Sequence, residues 1–143
     1  MLEKYSVTPT ITAGAYAAND VIGGRLQFNG VSFGTIQTIN IADKGNQAAN
    51  YTLLFFDTAP TNVADNAPFD VADADIAMVF GKVYFDPSDA IVLTDNRINI
   101  KTDVGLRAKS AETTGDIWAF LYTTSTPSYS STTDLVITLW VEK

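Results

Sequence analysis

Residues 6–28 read SVTPTITAGAYAANDVIGGRLQF. The stretch opens in extended backbone, because Val7, Thr8, Thr10, Ile11 and Thr12 carry branched Cβ atoms that pack well on a pleated surface. Pro9 has no backbone N–H, so this segment belongs at a sheet edge or in a free arm, not in a central strand. The chain turns through Ala13-Gly14 and again through Asn19-Asp20, then enters a strand carrying Gly23-Gly24. Paired glycines weaken a strand and fit a bulge, or a place where other atoms approach the backbone. An edge that turns sharply into a sheet is therefore the first element. Residues 1–13 are expected to form an extended arm or edge strand, and residues 14–143 a single β-sandwich domain.

The rest of the chain repeats that grammar. TIQTINI (35–41), KVYF (82–85), VGLRAK (104–109) and DLVITLWVE (134–142) alternate side-chain types at the period of a strand. YTLLFF (51–56) is a near-continuous apolar run of the length of a buried strand. IWAFLY (117–122) is apolar on both faces, so both must be covered, by the second sheet and a loop or by another subunit. Asn29-Gly30, Asp86-Pro87 and Gly115 mark turns. Residues 57–75 are loop-rich and acidic. One short helix is predicted over 73–81, capped by Asp70 or Asp73 and ended by Gly81. Many short strands with frequent turns mean an all-β fold, here a Greek-key or jelly-roll-like β-sandwich with one short helix.

Composition limits the chemistry. The 143 residues contain no cysteine and no histidine. Disulfides, thiolate nucleophiles, Ser-His-Asp triads and HExxH metal sites are thereby excluded. No apolar run approaches the roughly 20 residues of a membrane helix, and no membrane partner is expected. A net charge of −7 disfavours nucleic acid as a partner. Charged residues make up only 17%, so the surface is rich in Thr, Ser and Asn and in apolar atoms, which suits protein contact. Asp70, Asp73 and Asp75 lack the glycine and terminal glutamate of an EF-hand loop, and helix capping accounts for them better than calcium. No pair among the 16 acidic residues stands out for hydrolysis. The reading is of a protein that is not an enzyme and needs no cofactor.

What remains is surface for contact. Arg107 and Lys109 belong to a local basic stretch that begins at Arg97 and suits an acidic partner. Trp118, Phe120, Tyr122 and Trp140 suit the core or a subunit interface, since aromatics are enriched in both, with a carbohydrate platform as the alternative. Tyr5, Val7 and Ile11 in the arm, and Tyr16 and Tyr129 beyond it, complete the candidates for contact with a partner or a second protomer.

Such contacts enter through a resemblance. Residues 9–16 (PTITAGAY) and 19–24 (NDVIGG), followed in order by GTIQ (34–37), IADK (41–44), LLFFD (53–57), DAD (73–75), TPSY (126–129) and DL (134–135), resemble a family of small virion proteins of tailed DNA bacteriophages. Proteins of this type in phage heads are often cement (decoration) proteins. The resemblance implies a β-sandwich, commonly trimeric, clamped on the outer capsid lattice. It implies the major capsid protein as partner and the virion surface as location after synthesis in the host cytoplasm. An arm within residues 2–12 would then add a strand to a neighbour's sheet. The alternative is another virion component: a head fibre, a tail part or a host-glycan-binding module.

Overall fold

Alternating side chains resolve into ten strands: β1 (Leu2–Val7), β2 (Val21–Phe28), β3 (Phe33–Asp43), β4 (Tyr51–Phe56), β5 (Val79–Phe85), β6 (Ala90–Val92), β7 (Arg97–Lys101), β8 (Leu106–Lys109), β9 (Ile117–Tyr122) and β10 (Leu135–Glu142). The computed structural model describes every residue from Met1 to Lys143. One antiparallel sheet runs β1-β10-β3-β7-β6, with β8 also paired to β3, and the other runs β2-β9-β4-β5.

β7 and β8 share one partner. Asp43 of β3 faces Arg97 and Ile39 faces Lys101, and farther along β3 Ile36 faces Leu106 and Phe33 faces Lys109. They are one strand interrupted at residues 102–105. Counted so, the pairs β4–β5, β3–β7/β8, β2–β9 and β1–β10 nest inside one another. A long hairpin wound in this way is a jelly roll. The core lies between the sheets, where Ile36, Ile39, Ile41, Leu53, Phe55, Ile117, Leu121, Ile137 and Leu139 are fully buried.

The opening stretch folds as an edge. β1 pairs only with β10, so the N-terminal segment is spent on its own sheet instead of reaching out as a free arm. Pro9 then passes over β2. The register of β2 slips between Ile22 and Arg25, where Gly23 and Gly24 take φ of 86° and 65°. A Cβ on Gly23 would stand 2.4 Å from the Pro9 Cβ, so the bulge and the close approach are one feature.

The short helix is corrected to a 3-10 turn, Asp73–Met78. Neither Asp70 nor Asp73 caps it: the cap position is Ala72, with no side-chain bond. The Asp75 carboxylate instead accepts the Thr61 N–H at 2.7 Å, and Gly81 lies inside β5. Long-range pinning of the loop and the onset of β5 at Val79 leave no room for α-helical turns.

Both faces of β9 are covered from within the chain. Ile117, Ala119 and Leu121 join the main core. On the outer face, Val21, Phe56, Trp118 and Phe120 form a second cluster, roofed by Ala59, Val63, Phe69, Val71 and Met78 from the 57–78 connection. Phe69 lies 4.5 Å from Tyr122 and 5.4 Å from Phe120, ring to ring. The same connection seals the free edge of β2: the N–H groups of Val21, Gly23 and Arg25 donate to Ala67 O, Asp65 and Asn62. Hydrogen-bond donors that an edge would leave unpaired are thus satisfied in place.

Candidate functional site: an open sheet face and its free edge

The six-stranded sheet shows the opposite condition on its outer face. Register places Ile91, Ile98, Ala42 and Val136 in one cross-strand row. Ile100, Asn40, Thr138 and Ser6 form the next, then Thr38, Trp140 and Lys4, then Arg107, Thr35, Glu142 and Leu2. Ile98, Ala42, Val136, Ile100, Thr38 and Trp140 are half-buried. At the β6 side, Ile91, Val92 and Leu93 are 53%, 58% and 48% exposed. The result is a broad β surface of mixed apolar and hydroxyl character.

β7 sets this surface by turning its polar side inward. Arg97 and Asn99 are buried on the core side, which puts Ile98 and Ile100 outside. Arg97 Nε donates to Asn46 Oδ1 at 3.1 Å, and its charge faces the buried Asp43. Burial raises the Asp43 carboxyl above the usual range, against the lowering effect of the Gln47 and Gly45 N–H groups and of Arg97. Asn99 Nδ2 donates to Ile41 O at 3.1 Å.

The sequence-predicted candidates divide accordingly. Ile11, Tyr16, Phe120 and Tyr129 are buried in the domain, and Trp118 is only 9% exposed. Tyr16 hydroxyl donates to Asp65 at 2.6 Å, and Tyr129 bonds the Tyr51 hydroxyl. Trp118 bonds Glu112, with the Arg25 guanidinium 4.9 Å from its ring centroid. These side chains are packed inside the chain's own fold. The doubly apolar run of β9 signals that both faces need cover, but not whether a loop or another subunit supplies it, because the roof over β9 comes from residues about fifty positions away. Tyr5 and Val7 are half-buried against the main core. Trp140 belongs to the open face, with Lys4 Nζ 5.6 Å from its ring centroid. Arg107 and Lys109 lie together on β8, exposed and outside every ion pair of the chain. The basic stretch is thereby divided: Arg97 is internal, and Lys101 pairs with Asp89 at 3.2 Å.

No protein-family model matches the chain, and no curated protein matches it.

Two adjoining grooves flank β8. One, of about 910 Å³, is lined by Phe33, Asp57, Phe80, Arg107, Lys109, Ser110 and Lys143, among others. The other, of about 450 Å³, is lined by Lys82, Tyr84, Lys101, Asp103 and Leu106, among others. Phe33, 60% exposed and paired across to Lys109, is a surface aromatic at the start of β3. No three acidic side chains gather as a metal ion requires. No helix is long and apolar enough to cross a membrane. The arrangement offers shape, apolar area and placed charge for binding another surface.

Proposed function

We propose that this chain is a capsid cement (decoration) protein of a tailed bacteriophage, which binds the outer lattice of the head and stabilises it. The observation that carries the reading is the asymmetry of the sandwich. The chain roofs the outer face of one sheet with its own 57–78 connection and leaves the outer face of the other open. The resemblance to small phage virion proteins agrees with that surface. The partner is the major capsid protein, and three copies assemble as a homotrimer on the lattice. A specific contact buries roughly 1,200–2,000 Å² in total. Weak contacts made by linked copies add through effective concentration. A clamp that binds only the assembled shell stabilises it by mass action. The reading assigns no catalytic role and no cofactor.

The test is co-sedimentation with assembled shells and, separately, with unassembled capsid subunits. Binding to shells alone, with a rise in their heat resistance, is expected. Ile98→Asp with Val136→Asp on the open face is expected to weaken binding at least about tenfold while circular dichroism shows the fold retained. Binding confined to tails or to host glycans would replace this reading with a fibre, tail or glycan-binding component. Unchanged shell stability would overturn the cement role.

A further inference from the structure

The four sheet edges are not treated alike. The edge of β2 is sealed by Asn62, Asp65 and Ala67. The edge of β8 is bare and lies between the two grooves. Its phase follows from one bond: Ser110 N–H donates to Ser32 O at 2.8 Å, so Ser110 turns its backbone toward β3. Backbone direction alternates along a strand, so Ala108 and Leu106 also face β3. The N–H and C=O groups of Arg107 and Lys109 then point away from the sheet, toward the groove side. Their side chains stand on the outer face beside Thr35 and Phe33. Glu142, the nearest acid in the row, pairs with the N-terminal ammonium at 2.7 Å. Arg107 and Lys109 thus remain as unpaired cations in a chain of net charge −7.

We propose that the free edge of β8 accepts an extended acidic peptide segment of a partner protein as an added strand, with Arg107 and Lys109 holding its carboxylates. Main-chain bonds to the edge supply the docking, and alternate acidic side chains of the segment meet the two cations. Apolar side chains between them turn to the opposite face, toward Phe80 and Leu106 in the grooves. The charge signs select acidic over basic segments. This inference concerns the chemistry of the edge and does not depend on the capsid reading.

The experiment titrates the full chain with a short synthetic peptide of alternating glutamate and valine. Amide exchange is followed by NMR. Slowed exchange at Arg107 and Lys109 is expected. The double variant Arg107→Glu, Lys109→Glu is expected to weaken binding by about tenfold or more. Lys44→Glu, far from the edge in sequence and also exposed, is expected to leave it unchanged. A peptide N-methylated at alternate residues, on its strand-pairing side, is expected not to bind. Equal affinity for that methylated peptide, exchange protection confined to other strands, or no binding would overturn the proposal. A doubling of the protein's own mass that the double variant abolishes would also overturn it, since a second copy would then occupy the edge.

Discussion

Asp65 joins three parts of the chain through one carboxylate. It accepts the Thr12 hydroxyl at 2.6 Å, the Tyr16 hydroxyl at 2.6 Å and the Gly23 N–H at 2.7 Å. Its removal leaves those donors short of a partner in a partly buried site. Asp65→Ala is expected to cost about 2–4 kcal/mol, read as a lower urea midpoint, with Asp65→Asn in between; an unchanged midpoint would refute the role. The buried tyrosines carry a second prediction. Burial raises the Tyr16, Tyr51 and Tyr129 phenols above their ordinary value of 10.0, reinforced by Asp65 at Tyr16, Asp43 at Tyr51 and Tyr51 at Tyr129. The unfolded chain loses these protons near pH 10 and the folded chain keeps them, so the folded state binds more protons above that pH. Stability must then fall as pH rises through that range, by up to about 1.4 kcal/mol per pH unit for each phenol. Thermal midpoints between pH 9 and 12 should show the fall, and Tyr16→Phe should make it shallower. A midpoint independent of pH would contradict the assignment.

Among elements, the 57–78 connection does the work of a third layer. Phe69 stacks on Tyr122 and meets Phe120, and the cluster beneath contains Trp118 and Phe56. Phe69→Ala removes the centre of that roof. It should destabilise the domain by about 2–3 kcal/mol, below the full cost of a core phenylalanine because Phe69 is half-buried. Tryptophan emission should shift to the red as water reaches Trp118; unshifted emission would place the cover elsewhere. The strands themselves were legible, because β4 and β9 are apolar runs and β10 alternates with Leu135, Ile137, Leu139 and Val141 inward. The glycine pair of β2 correctly signalled a bulge with a close neighbour, Pro9. Two things were not legible. Periodicity divides β7 into an isoleucine face and a polar face, but only Asp43 on the neighbouring strand and Asn46 in the loop after it decide that Arg97 goes inside. Local spacing likewise suggests a helix at residues 73–81, and a distant bond from Thr61 to Asp75 overrides it.

At the scale of the molecule, these facts bear on how copies associate. An aromatic face on β9 would favour a trimer that is stable in solution, because burying Trp118 and Phe120 against another subunit would remove much apolar area from water. The chain already buries them under its own connection. What it leaves open is the face with Ile98, Val136 and Trp140, where hydroxyls and Asn40 dilute the apolar rows. Surfaces of that mixed kind resemble those of non-obligate interfaces, whose partners also exist apart. Free copies also carry a net charge of −7 each, which opposes their approach. The isolated protein is therefore expected to scatter light as a 15.4 kDa monomer at micromolar concentration and to assemble only on a template that presents several sites together. Raising the salt should weaken the repulsion without producing a defined trimer, since screening removes repulsion and adds no buried area. A stable mass three times larger in dilute solution would show that the open sheet face, or the strip at Ile91, Val92 and Leu93, already closes on a second copy. Under the proposed cement role, the face available to a capsid would then be what the trimer leaves outside.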